Sequence, residues 1–441
     1  MNKPITFSGP CGSVDHWNRR TLLRAAAAGS MSWLTPLARS LARAAEAAPR
    51  GAPAKSVIVL WMQGGPSQLE TFDPHPNTVI GGDTKAIKTS VPGIKIGSGL
   101  DLIAQQMQHI ALVRSVVSDQ KDHERATYNA KTGFRPDPTM VHPALGSVIC
   151  RQLNGQLEIP RHISIMPGSW PARGGYLGDH YDAFQIGDPR QPLPDLIGKV
   201  SQQRNQRRLD DLFDIVEPEF GRGRIATLDE QKTLHKISIR RAMKMMSSSQ
   251  LEAFNVMKAS QNLRNRYGHT PFGRSCLAAC QLIKAGVRCV EVTLNGWDTH
   301  INNHELQQKQ MAILDPAMAT LIEHLQEDKL LEHTIVLWGG EFGRDPRINV
   351  ADGRDHWPHG FTVAMAGGGI VGGQVVGATS PSPDFESARS ARNIVNPRNI
   401  ADIHATVLHA LGIDFQQEMY QPPVRPISLS EGQVIKELIS S

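Results

Sequence analysis

The chain has 441 residues, of which 40% are hydrophobic and 20% charged. This composition is typical of a folded globular protein and excludes a disordered chain, a coiled coil and a collagen-like fibre. No uncharged apolar run reaches the ~18–20 residues of a membrane-spanning helix, so we do not expect an integral membrane protein. The net charge of +5 lies mostly in residues 1–48, which contain six Lys or Arg and two Asp or Glu. A basic charge confined to one terminal segment does not indicate nucleic-acid binding.

The N-terminal segment has the residue order of an export signal. Arg19 and Arg20 precede a weakly apolar stretch, and Arg39, Arg43 and several small residues follow it. Paired arginines and weak hydrophobicity favour the twin-arginine route over the general secretory route. We therefore predict a twin-arginine signal peptide over residues 1–48, with a mature N-terminal helix as the alternative. The protein would then meet the twin-arginine translocase and reach the periplasm or the outside of a bacterium.

Predicted strands and helices alternate along the mature chain. The first apolar run predicts a buried strand over Lys55–Met62 that ends in a tight turn at residues 63–66. Further strands are predicted at His109–Arg114, His162–Met166, Val287–Thr293, His333–Trp338 and Phe361–Met365. Helices are predicted at Leu100–Gln108, His123–Lys131, Pro143–Leu153, Ser275–Ala285, Gln307–Asp328 and Ile400–Leu411. This alternation predicts an α/β fold with a mostly parallel sheet covered by helices on both faces.

One segment departs from this alternation. Residues 198–261 are rich in Arg, Gln, Asp and Met and poor in β-branched residues, which predicts a helical insertion. We expect one α/β domain over residues 49–441 that carries this insertion.

Polar residues collect directly after the predicted strands. The carboxyl ends of parallel strands meet at one edge of the sheet, and ligands bind there in open α/β folds. Carboxylate and imidazole groups suit zinc best, with manganese, iron or calcium as alternatives. The candidate metal ligands are Asp298, His300, His304, Glu341, His356 and His359, and further polar residues that could face a substrate are Ser67, Asp73 and Asp355. The alternative is a polar rim of loops without a metal.

Several motifs, in this order, carry a resemblance to a known family. They are the paired arginines of the leader, Gly64-Gly65-Pro66-Ser67, Glu70-Thr71-Phe72-Asp73-Pro74, Trp297-Asp298-Thr299-His300 and Gly340-Glu341-Phe342-Gly343-Arg344. With these motifs the chain resembles the exported bacterial family called domain of unknown function 1501, which is similar to the alkaline phosphatase and sulfatase superfamily. The resemblance implies the three-layer α/β/α core of those enzymes.

The resemblance also implies roles for single residues. At the position of the superfamily nucleophile stands His123, which could be a metal ligand, a base or a phosphoryl acceptor; we predict a base or nucleophile oriented by Asp122. Gln63 stands where the superfamily has a metal-binding Asp and is a poor ligand for a divalent transition metal, although Ser67 or Asp73 of the same loop could substitute in this half of a two-metal site. Asp298 and His356 preserve the other half, and Arg344 is the predicted anion-binding group.

We therefore expect an exported, metal-dependent hydrolase that acts on a phosphate, sulfate or related ester. The alternative is a non-catalytic periplasmic or surface protein, with a binding or scaffold role, that retains the fold. A phosphomutase-like or transferase activity is a weaker third possibility, because no Ser occupies the nucleophile position. The oligomeric state stays open.

Overall fold

The computed structural model describes most of residues 49–441. The described residues are 54–155, 157–193, 202–211, 242–387, 392–421 and 424–439. The predicted signal at 1–48 lies outside them, as does much of the predicted insertion at 198–261. The described parts of that insertion are helical, with an α-helix at Gln202–Asp211 and short helices from 242 onward. Within these ranges, no helix combines the length and hydropathy needed to cross a lipid bilayer.

A nine-stranded sheet forms the centre of the described fold. In chain order its strands are β1 (Ser56–Gln63), β2 (Ile110–Val117), β3 (His162–Ile165), β4 (Phe184–Ile186), β5 (Cys289–Asn295), β6 (Thr334–Gly339), β7 (Phe361–Ala366), β8 (Val375–Val376) and β9 (Arg398–Asn399). Their order across the sheet is β8-β2-β7-β6-β1-β5-β3-β4, and β9 also pairs with β2. Only β7 runs antiparallel to its neighbours, so the predicted mostly parallel sheet is confirmed.

Helices cover both faces of this sheet. The α-helices of the described residues include α1 (Asp101–Gln105), α2 (His123–Thr132), α3 (Leu145–Gln152), α4 (Gln202–Asp211), α5 (Gln261–Arg266), α6 (Pro271–Lys284), α7 (Asn303–Glu327) and α8 (Ile400–Ala410). Along β1, Ile58 and Leu60 pack into the core that contains α6 and α7. Val57, on the opposite face, packs into the core that contains α3 and α8. A strand buried on both faces is expected to be apolar along its middle, as residues 57–62 of β1 are.

The reversed direction of β7 was not predicted from its sequence. Because β7 is antiparallel to β6, its first residue, Phe361, lies at the edge where the other strands end. The preceding pair His356–Trp357 reaches the same edge and pairs antiparallel with Gly343–Arg344. The segment between β6 and β7 therefore leaves and re-enters the sheet at the predicted site edge.

Candidate metal centre

Two glycines let the end of β1 pack tightly against the other site loops. Gly64 has a φ of 113° and Gly65 a φ of 78°. Residues other than glycine rarely adopt such positive φ values. A Cβ added to Gly64 would overlap the Asp298 backbone nitrogen, and one added to Gly65 would overlap the Phe342 ring. The Gly64 N–H also donates to Glu341 Oε1 at 2.8 Å. The turn thus fixes the relative positions of the loops after β1, β5 and β6.

Three histidines surround the Asp298 carboxylate, which follows β5. Asp298 Oδ1 lies 3.2 Å from Nε2 of His300 and 3.2 Å from Nε2 of His356. Asp298 Oδ2 lies 3.3 Å from Nε2 of His123. The Nε2 atoms of His300 and His356 are themselves 3.0 Å apart. Four side chains from two post-strand segments and one helix start therefore meet within a few ångströms.

The second nitrogen of each ring faces an oxygen acceptor. His123 Nδ1 lies 2.8 Å from Glu341 Oε1, and His300 Nδ1 lies 2.8 Å from Asp355 Oδ1. His356 Nδ1 lies 2.8 Å from the carbonyl oxygen of Lys121. An acceptor at Nδ1 places the proton of a neutral ring on Nδ1 and leaves the Nε2 lone pair free.

Lone pairs and a carboxylate therefore converge on one point. Neutral His300 and His356 would direct two Nε2 lone pairs at each other across 3.0 Å, next to Asp298 Oδ1. A proton or a metal ion would satisfy such a set of acceptors. Histidines whose outer nitrogen is held by a carboxylate or carbonyl are the usual protein ligands of zinc. The residues present thus fit a divalent metal.

A proton stabilises the same arrangement in the metal-free protein. Hydrogen bonds to Asp298 and to Glu341 raise the pKa of His123 to about 9. Burial raises the pKa of Asp298, but hydrogen bonds from His123, His356 and Arg344 outweigh it and hold this pKa well below its usual range. A metal that binds here must therefore displace a proton.

The centre is closed on one side and open on the other. The fully buried Phe342 ring lies 4.3 Å from the His356 ring and 5.1 Å from the His123 ring, measured between centroids. The side chains of Asp298 and His300 are 44% and 45% exposed to solvent. A solute can therefore reach the open side of the carboxylate.

The sequence profile of the family described as "Protein of unknown function (DUF1501)" matches residues 54–439. The chain belongs to this family. No curated protein sequence matches it.

Solved structures of low sequence identity resemble this DUF1501 protein. A protein of the alkaline phosphatase superfamily from Vibrio parahaemolyticus is 12% identical, with a TM-score of 0.34 over 83% of this chain and 69% of that one. The PsFucS1 sulfatase from Pseudoalteromonas sp. is 12% identical, with a TM-score of 0.36 over 82% and 68%. A magnesium-bound variant of TAB5 alkaline phosphatase is 11% identical, with a TM-score of 0.37 over 82% and 99%.

Arg344 does not occupy the position expected of an anion-binding group. It is fully buried, and its Nε donates to the Gly65 carbonyl at 2.9 Å. One Nη donates to the Arg354 carbonyl at 3.0 Å, and the other to Asp298 Oδ1 at 2.6 Å and to the Gly64 carbonyl. Arg344 therefore orients Asp298 and supports its negative charge.

Asp122 also has a different position from the one predicted. Its Oδ1 accepts from the Arg125 N–H at 2.9 Å, so it is the N-cap of α2. The group that orients His123 is Glu341, which was predicted as a metal ligand. An Asp immediately before a helical run is a recognised N-cap signal, and it could have indicated this role from the sequence.

The remaining predicted residues lie outside the group around Asp298. His304 faces a separate cluster, with its Nε2 3.3 Å from Glu70 Oε1. Asp73 is buried and accepts from Thr379 Oγ1 at 2.6 Å, and Ser67 is fully buried. His359 lines a wide surface groove. Asp355, predicted to face a substrate, orients His300 instead.

The centre also contains a contact that no sequence pattern indicated. The Lys121 carbonyl, a backbone group, holds His356 Nδ1. Nothing in the residue type at position 121 signals this contact, because every residue carries a carbonyl.

A second group of ligand-type side chains, Cys280, His324 and Asp328, lies between α6 and the end of α7. Burial raises the pKa of the Cys280 thiol to about 12. Lys284 Nζ donates a hydrogen bond to Asp328 Oδ2 at 3.0 Å. A neutral thiol and a neutralised carboxylate are poor metal ligands, so this group is the weaker of the two.

Proposed function

We propose that this protein is an exported, metal-dependent hydrolase of a phosphate, sulfate or related ester. The observation that carries the proposal is the convergence of three imidazole Nε2 atoms on the Asp298 carboxylate. Nitrogen and oxygen ligands in this combination are typical of catalytic zinc sites that keep an open coordination position. Export rests on the leader sequence with its paired Arg19 and Arg20.

The metal would be held by His123, Asp298, His300 and His356. Zinc suits this imidazole-rich set best, manganese and iron are alternatives, and calcium is the weakest because it prefers oxygen ligands. When bound, a divalent cation supplies a Lewis acid that polarises an ester oxygen. The site would be mononuclear, since Gln63 stands at the end of β1 in place of an acidic ligand.

The residues of the chain prepare the centre in three ways. Glu341 keeps the His123 proton on Nδ1, and Asp355 keeps the His300 proton on Nδ1, so both Nε2 atoms face inward. Arg344 keeps Asp298 ionised and fixed in place. Phe342 excludes water from the closed side, so a substrate approaches only from the exposed side of Asp298 and His300.

The first test is metal content of the full-length exported protein, measured by plasma mass spectrometry. We expect about one metal ion per chain, lost in Asp298→Ala and in His356→Ala. The matched control is His269→Ala, because His269 is exposed and lies in the turn between α5 and α6. The rate at which each protein hydrolyses a panel of aryl phosphates and aryl sulfates should rise and fall with its metal content. Full activity in folded Asp298→Ala protein would refute the assignment.

A non-catalytic binding or scaffold role is the second candidate. In the described structure, every side chain that contacts the Asp298 carboxylate belongs to His or Arg. No Ser, Thr or Cys side chain of the described residues makes such a contact, so a conventional covalent nucleophile is missing. A protein that binds one metal ion but hydrolyses none of the esters would favour this role.

A further inference from the structure

One tryptophan beside the metal centre is only partly buried. Trp170 lies in the loop between β3 and β4, and β3 ends at the same edge of the sheet as β5 and β1, to which it runs parallel. The other described tryptophans are at most 5% exposed; they are Trp61, Trp297, Trp338 and Trp357. Ligand sites combine a few polar groups with aromatic side chains, so Trp170 is a candidate contact for a substrate.

The indole ring of Trp170 is aligned with the imidazole ring of His123. The planes of the two rings differ by 12°, and their centroids are 6.5 Å apart. Flat rings that overlap completely lie only about 3.5–4 Å apart, so His123 leaves much of the indole face uncovered. A flat ring that stacked on this face would lie next to His123, at the metal centre.

The loop that carries Trp170 is held in place by the sheet and by α2. Lys131 Nζ, on α2, donates to the Trp170 carbonyl at 2.9 Å and lies 2.9 Å from Glu291 Oε1 on β5. A Cβ added to Gly168 would overlap the Gln63 side chain, so the loop packs closely on the end of β1. A contact surface that is already fixed loses little conformational entropy when a ligand binds, which favours affinity.

We propose that Trp170 is a specificity-determining residue that stacks on the aromatic ring of an aryl ester. This inference rests on the proposed ester hydrolysis and names the class of substrate. The ester group would reach the metal centre from the exposed side of Asp298 and His300, and the ring of its alcohol part would extend past His123 to Trp170. An aliphatic ester has no flat ring and would lack this contact.

The first test compares three phosphonates that carry the same anionic group, by calorimetric titration of the zinc-loaded, full-length protein. Phenylphosphonate should bind roughly tenfold more tightly than methylphosphonate, the factor expected for one aromatic stack. It should also bind more tightly than cyclohexylphosphonate, whose saturated ring is not flat. In Trp170→Ala the preference for phenyl over methyl should fall to about twofold or less, whereas Trp170→Phe should keep most of it.

Phe415→Ala is the matched control for the loss of an aromatic ring. Phe415 is partly buried and follows α8 at the other edge of the sheet. There the carbonyl of Ala410, the last residue of α8, accepts from the N–H of Ala54, which precedes β1. The Phe415→Ala protein should therefore keep the wild-type preference for phenylphosphonate.

The second test needs no metal. In the metal-free protein, phenol should shift the NMR signal of His123 through the ring current of the bound ring, and methanol should not. This shift should vanish in Trp170→Ala and persist in Trp170→Phe. A phenol-dependent shift without binding of any phosphonate would contradict the proposed hydrolysis but support the ring contact at Trp170.

Three results would overturn the proposal. They are the absence of a phenol-dependent shift in the wild type, an unchanged preference for phenylphosphonate in folded Trp170→Ala protein, and equal affinities for phenylphosphonate and cyclohexylphosphonate.

Discussion

Replacing Glu341 by Gln should lower the pKa of His123 without dismantling the centre. Gln retains an Oε1 acceptor for the Gly64 N–H and for His123 Nδ1, which in the wild type both donate to Glu341 Oε1 at 2.8 Å. Only the negative charge is lost. Because the hydrogen bond to Asp298, the largest single cause of the raised pKa, is retained, we expect the pKa to fall below 9 but to stay above 6.5.

The expected effect on the free energy of unfolding follows from the pKa shift of His123 in the metal-free protein. A pKa raised from 6.5 to about 9 corresponds to about 3 kcal/mol at 1.36 kcal/mol per pH unit. The partner Asp298 is 44% exposed, and solvent screening reduces the expected effect on the free energy of unfolding to about 2 kcal/mol. Since the folded pKa is the higher one, this stability is fully present below pH 6.5 and is lost as the pH rises through 9.

The assay combines histidine NMR titration with urea unfolding of the metal-free protein from pH 6 to 10. In Glu341→Gln the decline in stability should end at a lower pH and be smaller. Wild-type affinity for Zn²⁺ should rise up to tenfold per pH unit below 9, because one proton leaves His123 when the metal binds. A His123 that titrates near 6.5 in the wild type, or identically in both proteins, would refute the reasoning.

Three further changes test other parts of the centre. Gly64→Ala should lower the free energy of unfolding by roughly 3 kcal/mol in urea titrations, because the φ at this position is positive and the added Cβ would overlap backbone atoms. The control is Gly93→Ala, where φ is also positive but the surrounding space is empty. This variant should lower the free energy of unfolding clearly less. Arg344→Met should cost roughly 3–5 kcal/mol in the same assay, since it leaves the Asp298 carboxylate and three carbonyls without their buried donor, and a cost below about 1 kcal/mol would contradict the structure. Asp355→Asn should weaken Zn²⁺ binding roughly 10- to 100-fold in a competition with a chromophoric chelator, since it loosens His300; unchanged affinity would show that Asp355 does not orient this ring.

Most of the fold follows from patterns within single segments. The predicted first strand, Lys55–Met62, is observed at Ser56–Gln63, and the predicted terminal helix, Ile400–Leu411, at Ile400–Ala410. Continuous apolar runs and helical periodicity are local signals, so the sequence contains them. The direction of β7 depends on which neighbours it pairs with, and Phe361–Met365 has no pattern that specifies this.

The sequence predicted several of the residues at the candidate site, but not the position and role of each one. Strand ends placed Asp298, His300 and His356 at one edge of the sheet, and the structure brings these three together. His304 comes only four residues after His300, yet it lies at the start of α7 and turns toward Glu70 instead. The conformation of the loop between His300 and His304 decides which of the two rings reaches the Asp298 carboxylate. There Asn302 adopts a φ of 44°, a choice that residue types alone do not determine.

The segment between β6 and β7 has an evolutionary consequence. It starts and ends at the same edge of the sheet, because β7 returns antiparallel beside β6, and it supplies Glu341, Arg344, Asp355 and His356 in one continuous stretch. Insertions or replacements within it would leave every strand register unchanged. Related proteins could therefore exchange this stretch as a unit and acquire different chemistry on an unaltered sheet.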